Sequence, residues 1–148
     1  MCSECKNIVH GTILEDRKSP VVALVGRSNV GKSTLFTRLS GVHRKMGNWP
    51  ATTVEVGSAE VDFNGRGITL LDLPGIASLH PVSPDEALAV EILNEGKPDL
   101  VLFVIDCASM ARCLYLLSEL LERKQKVLIA LSMDDVAQRR GIDVSAEK

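Results

Sequence analysis

The chain has 148 residues, 45% of them hydrophobic and 24% charged, with a formal net charge of −2. That length supplies one domain able to bury its own core, and the near balance of charge, with no basic stripe, argues against nucleic acid as a partner. No apolar run reaches the about 18 residues that a membrane span needs, and residues 1–17 lack the apolar centre of a signal peptide, so the chain as it stands reads as soluble and cytoplasmic. Its four cysteines do not suggest a zinc site: Cys2 and Cys5 form a lone C-x-x-C, and Cys107 and Cys113 lie far along the chain. Reduced thiols are the expectation.

Residues 20–26 (PVVALVG) form a short, almost wholly apolar run, the pattern of a strand buried on both faces. A glycine-rich turn follows, then a helix over residues 32–39. Residues 42–53 carry Gly47, Asn48 and Pro50 without periodicity and read as a loop. Residues 54–63 partly alternate, Asn64-Gly65 is a strong hairpin turn, and residues 67–73 return as the next strand. After an irregular stretch over 74–84 come a helix over 85–95, a buried strand over 100–105, a helix over 111–123 and a buried strand over 127–131. Strands alternating with helices imply an α/β fold: a mostly parallel sheet with one antiparallel strand and helices on both faces. Residues 1–19 read as an N-terminal extension and residues 20–148 as a single domain.

Gly26-Arg27-Ser28-Asn29-Val30-Gly31-Lys32-Ser33 satisfies G-x-x-x-x-G-K-[ST] between a predicted strand and a predicted helix. Backbone N–H groups of such a P-loop wrap phosphates, and the helix N-terminus, continuing through Thr34, adds its positive end. Lys32 would reach the β- and γ-phosphates, and the Ser33 hydroxyl would sit on Mg²⁺. Asp72-Leu73-Pro74-Gly75 closes the third predicted strand, where Asp72 can hold Mg²⁺ through water and the Gly75 N–H can approach a γ-phosphate. Thr52 and Thr53 lie in the loop between these motifs, where GTPases place a threonine over Mg²⁺ and γ-phosphate; the residue chemistry leaves either one open. Ser132-Met133-Asp134-Asp135 follows the last buried strand, where GTPases carry N-K-x-D. Asp135 holds the position of the aspartate that accepts the guanine ring N–H donors, but a serine stands in place of the asparagine.

The chain then resembles a particular family. Gly47-Asn48-Trp49-Pro50-Ala51-Thr52-Thr53-Val54-Glu55 is similar to the G-N-W-P-G-V-T-V-E loop of FeoB, the bacterial ferrous iron transporters. DLPGIASLHPVSP from Asp72, Leu114-Tyr115-Leu116, and ALSMDDVAQRRGI from Ala130 resemble further stretches of that family, so the likeness covers about residues 21–142. It implies a P-loop NTPase of the small-GTPase kind that binds GTP and GDP with Mg²⁺ and hydrolyses GTP, and that regulates ferrous iron uptake by a membrane-embedded permease part, at the inner face of the cell membrane. It makes Thr53 the loop threonine, and makes Asn29, with Gly47 and Trp49, the holders of a potassium ion beside the phosphates. It puts Ile76 where Ras-like proteins carry a water-positioning glutamine, and leaves neither Arg27 nor Arg44 as an arginine finger.

The departures are Ser132, which weakens the guanine contact and keeps relaxed GTP/ATP selectivity or a switch with negligible hydrolysis open as alternatives, and Cys113 in place of an asparagine. The family sheet continues past Lys148 with one more strand and a helix. The resemblance therefore predicts that the 127–131 strand has an uncovered outer edge, through which two copies could form a homodimer.

Overall fold

The computed structural model describes residues 19–41, 45–48, 55–95 and 98–144, with only the backbone described at 45–48 and 55. Within these residues the sheet contains β1 (Val21–Val25), β2 (Lys45–Asn48), β3 (Glu55–Phe63), β4 (Arg66–Asp72), β5 (Leu100–Asp106) and β6 (Val127–Ser132). The helices are α1 (Lys32–Ser40), α2 (Pro84–Glu95), α3 (Ala111–Glu122) and α4 (Asp134–Arg139), with a 3₁₀ turn at Cys107–Ser109. Strand order is β2-β3-β4-β1-β5-β6. β4, β1, β5 and β6 run parallel, whereas β3 is antiparallel to both β4 and β2. The α/β architecture with one reversed strand is therefore as expected.

β1 lies at the centre, paired with β4 through Val21–Thr69 and with β5 through Val22–Leu100. Alternation along the strand sends its side chains to two cores. Val21, Ala23 and Val25 join Leu71, Phe103 and Ile105 under Leu88 and Ile92 of α2 and Leu116 and Leu120 of α3. Leu24 meets Phe36 of α1, Ala59 and Leu70 on the other face. A central strand without polar positions thus follows from helices on both faces.

Local chemistry fixes several boundaries. Asn64 and Gly65 both take positive φ (54° and 78°), turning β3 into β4 as a tight hairpin. At the start of α2 the Ser83 hydroxyl accepts from the Glu86 N–H (3.3 Å), and the Glu86 carboxylate accepts from the Val82 N–H (2.8 Å), a reciprocal capping arrangement. Asp85 and Glu86 also place negative charge at that helix's N-terminus.

Two elements differ from the sequence reading. Residues 45–48 form β2, although Gly47 and Asn48 disfavour strands; the backbone ladder with β3, Met46 opposite Gly57 and Gly47 opposite Val56, overrides that preference. Residues 134–139 form α4, whose six positions are too few to show a helical period; Met133 enters it at φ 56° and Ala137 seals it against the body. Among the described residues β6 stands last in the strand order, and Leu128, Ile129 and Leu131 are exposed. No described helix is long and apolar enough to cross a membrane.

Candidate functional site

The loop after β1 sits where the sheet changes direction of winding, with β4 on one side of β1 and β5 on the other, at the carboxyl ends of the strands. Gly26 opens it. A Cβ there would stand 2.6 Å from the Val104 carbonyl oxygen, so only glycine lets the backbone pass β5 so closely. Asn29 (φ 64°) and Gly31 (φ 93°) are left-handed, and the Gly31 carbonyl accepts from the Leu35 N–H (2.9 Å), starting α1. Val30 is buried, Arg27 half-buried, and Ser28, Asn29, Ser33 and Thr34 are exposed.

Lys32 is only 7% exposed, and its Nζ donates to the Arg27 carbonyl (2.8 Å) across the loop it closes. Burial lowers the lysine pKa from its ordinary value, against an opposing pull from the Asp72 carboxylate. The Ser33 hydroxyl donates to Asp72 Oδ2 at 2.9 Å. This pairs a hydroxyl and a carboxylate, hard oxygen donors of the kind Mg²⁺ takes, at the end of β4 and the start of α1. Two of the three predicted Mg²⁺ residues, Ser33 and Asp72, are therefore brought together, and their donor chemistry fits that ion.

Gly75 also lies against the loop. A Cβ on it would meet Ser28 at 2.5 Å from Oγ and 2.7 Å from the backbone nitrogen, which ties this glycine to close packing on the loop as well as to any phosphate contact. The next residue locks the approach: the Ile76 N–H donates to the Gly26 carbonyl (3.1 Å), and the Ile76 side chain is 1% exposed in the core. Ile76 is thus a packing residue, withdrawn from any water at the loop.

Ser132 stands at the end of β6, at the strand end where the sequence reading put it. Its hydroxyl lies 2.6 Å from the Val30 carbonyl and 3.1 Å from the Ile105 carbonyl. A hydroxyl has one proton to donate, so the short contact ties β6 to the loop, and the second reaches β5. No signal in a single sequence distinguishes this structural tie from a base contact. Met133 and Asp135 follow at the entrance of α4, where the exposed Asp135 pairs with Arg139 one turn on (2.5 Å). Nearby, Cys107 is buried, and burial, then the Asp134 and Asp106 carboxylates, push its thiol pKa up. Gly47 lies within β2, while Thr52, Thr53 and Trp49 fall outside the described residues.

Burial of Lys32 sets a pH dependence for the nucleotide-free protein. With the folded pKa below the unfolded value of 10.5, the folded chain binds fewer protons than the unfolded one between those two values. Stability gained through this group therefore rises with pH across that window and is flat well below it. Cys107 acts in the opposite sense above its ordinary 9.0; it is common to wild type and Lys32→Met, and cancels in their difference. Thermal melts over a pH series should show the melting temperature of wild type minus that of Lys32→Met increasing as pH approaches 10.5. A pH-independent difference contradicts the assignment.

With this geometry in place, similarity to known proteins is extensive. The family model described as ferrous iron transport protein B matches residues 20–148. The Fe(2+) transporter FeoB of Helicobacter pylori strain J99 is 39% identical over 131 residues, covering 88% of this chain and 20% of the relative. That of Methanocaldococcus jannaschii is 44% identical over 105 residues, covering 71% of this chain and 16% of the relative. The chain thus spans about a fifth, or less, of the length of these relatives, with coverages of 20% and 16%. Among solved structures, the FeoB G-domain from Methanococcus jannaschii superposes with a TM-score of 0.73 at 38% identity, covering 86% of this chain and 76% of that one. The cytosolic domain of T. maritima FeoB in its GMPPNP form gives 0.78 at 42% identity, covering 82% and 48%. A GDP-bound S. thermophilus NFeoB variant gives 0.77 at 38% identity, covering 85% and 49%. With the family model matched over residues 20–148 and relatives 39% identical over 88% of its length, the chain belongs to the ferrous iron transport protein B family.

Proposed function

We propose that this domain binds GTP and hydrolyses it to GDP, and that the cycle regulates ferrous iron uptake by a membrane-embedded part corresponding to the remaining length of its relatives, at the inner face of the cell membrane. The observation that carries the reading is the buried Lys32 under a loop of backbone donors, with Ser33 and Asp72 2.9 Å apart beside it. Relatives solved with GDP and GMPPNP support a guanine nucleotide as the ligand.

The chain's own groups suit phosphoryl transfer to water by positioning and charge neutralisation. Lys32 would meet the β- and γ-phosphates in place of its bond to the Arg27 carbonyl. Ser33 and Asp72, joined by Thr53, would hold Mg²⁺, which neutralises phosphate charge when bound. The Gly75 N–H would face the γ-phosphate. Because Ile76 is packed in the core, the attacking water is left to backbone groups and to a cation. Asn29, exposed and left-handed at the loop tip, presents a side-chain oxygen suited to potassium, with the backbone of Gly47 to Trp49 completing that site.

Hydrolysis should then run at least on the order of tenfold faster in potassium than in sodium at equal ionic strength, below the about 10²–10³ that one preorganised donor contributes. Asn29→Ala should remove the difference, and equal wild-type rates in the two salts would exclude the potassium role. Running ATP in parallel separates this reading from a nucleotide-promiscuous ATPase, and no turnover of either separates it from a switch that acts by binding alone.

Guanine selectivity would rest on Asp135, with Ser132 committed to the Val30 carbonyl. Relative to an asparagine, about one net hydrogen bond to the base is lost, about 0.5–1.5 kcal/mol. Calorimetry should show GDP binding more tightly than ADP, and Ser132→Asn gaining up to about tenfold for GDP. An asparagine variant that binds GDP no better than wild type would refute this.

The exposed Leu128, Ile129 and Leu131 on the last strand of the sheet support association of two copies through β6. Light scattering across a concentration series should show dimers at high micromolar concentration; a strictly monomeric folded protein rules the association out.

A further inference from the structure

We infer that Glu119 of α3 is a positioning residue for the segment between β4 and α2, and so for Gly75. The inference rests on the proposed hydrolysis for its kinetic consequence and on geometry alone for the contact itself.

The segment leaves β4 at Asp72 and is pinned at its near end, where the Ile76 N–H donates to the Gly26 carbonyl (3.1 Å) and Gly75 packs on Ser28. Its far end is closed by the reciprocal Ser83–Glu86 capping at α2. Between these anchors the chain buries the Leu79 side chain, 4% exposed, which carries its backbone N–H toward α3. A buried N–H needs an acceptor, and the backbone carbonyls of a helix interior are already engaged along its own axis. Glu119 supplies the acceptor from its side chain: Oε2 receives the Leu79 N–H at 2.8 Å. Its other oxygen, Oε1, lies 3.1 Å from Nδ1 of His80.

The two partners differ in weight. The Glu119 side chain is 12% exposed, whereas that of His80 is 82% exposed. A contact to a group that open to solvent contributes little, so the amide of Leu79 is the principal attachment and the imidazole an accessory one. Without Glu119, the middle of the segment would keep its buried Leu79 side chain and the local Ser78–His80 bonds but lose its hydrogen bond to α3, and the register of Gly75 on Ser28 would lose its support from that end.

The distinguishing variants are Glu119→Ala, which removes the acceptor, and Glu119→Gln, whose amide carbonyl can still accept the Leu79 N–H while its amino group faces His80. Hydrogen exchange read residue by residue on nucleotide-free protein should show the Leu79 amide exchanging about tenfold or more faster in Glu119→Ala, with β5 amides unchanged, and near wild-type protection in Glu119→Gln. In GTP turnover the alanine variant should lose about tenfold in kcat, since displaced positioning groups act on the reacting geometry. Its GDP dissociation constant should stay within about twofold of wild type, and glutamine should restore kcat. Unchanged Leu79 protection in Glu119→Ala overturns the anchor. Parallel loss of GDP affinity and kcat, or failure of glutamine to rescue, overturns the positioning role. Absence of wild-type GTP turnover would instead refute the proposed hydrolysis, leaving the anchor to be decided by exchange alone.

Discussion

The backbone after β1 runs so close to β5 that a single added carbon at Gly26 would sit 2.6 Å from the Val104 carbonyl. Much of the site depends on that approach. It sets the loop against the sheet ends at a height where the Ser132 hydroxyl reaches the Val30 carbonyl from β6 and the Ile76 N–H reaches the Gly26 carbonyl from the β4 side. A hydrogen bond from β6 and another from the segment after β4 thus hold the loop through its backbone carbonyls, and those bonds are indifferent to side-chain identity on the loop itself. Arg27, Ser28 and Asn29 are consequently available for ligand chemistry.

Beneath that loop lies a cation that the fold does not favour on its own. Burying the Lys32 ammonium opposes its charge, and the Asp72 carboxylate offsets only part of this. A polyanion over the loop would complete the balance, so ligand binding and folding stability are coupled through one side chain. Asp72 sits at the junction, accepting from Ser33 while acting electrostatically on Lys32. These few atoms make the first turn of α1, the end of β4 and the loop interdependent.

Much of this was legible in the sequence for a definite reason. The G-x-x-x-x-G-K-S spacing and the D-x-x-G strand end are local patterns whose partners are dictated by sheet topology, so alternating strands and helices sufficed to bring Ser33 and Asp72 together. β2 was not legible, because Lys45–Asn48 has no strand composition and exists through its ladder with β3. α4 was hidden by its six-residue length. Ser132 was recognised as a departure, but its tie to Val30 depends on a side chain's reach across the sequence from β6, information that spacing does not carry. Glu119 belongs to the same class: nothing in α3 signals that a carboxylate there receives the Leu79 amide.

The position of β1 also bears on how the chain reaches this fold. It precedes both of its partners in the chain and is apolar toward both faces; β4 and β5 pair with it at Thr69 and Leu100. Neither partner is reached by a local hairpin, so β1 completes its ladder only once β4 and β5 have both been made. The loop that follows it cannot take its final shape before Val104 is in place. Closure of the loop is therefore a late event, set by the long stretch of chain between Gly26 and Val104.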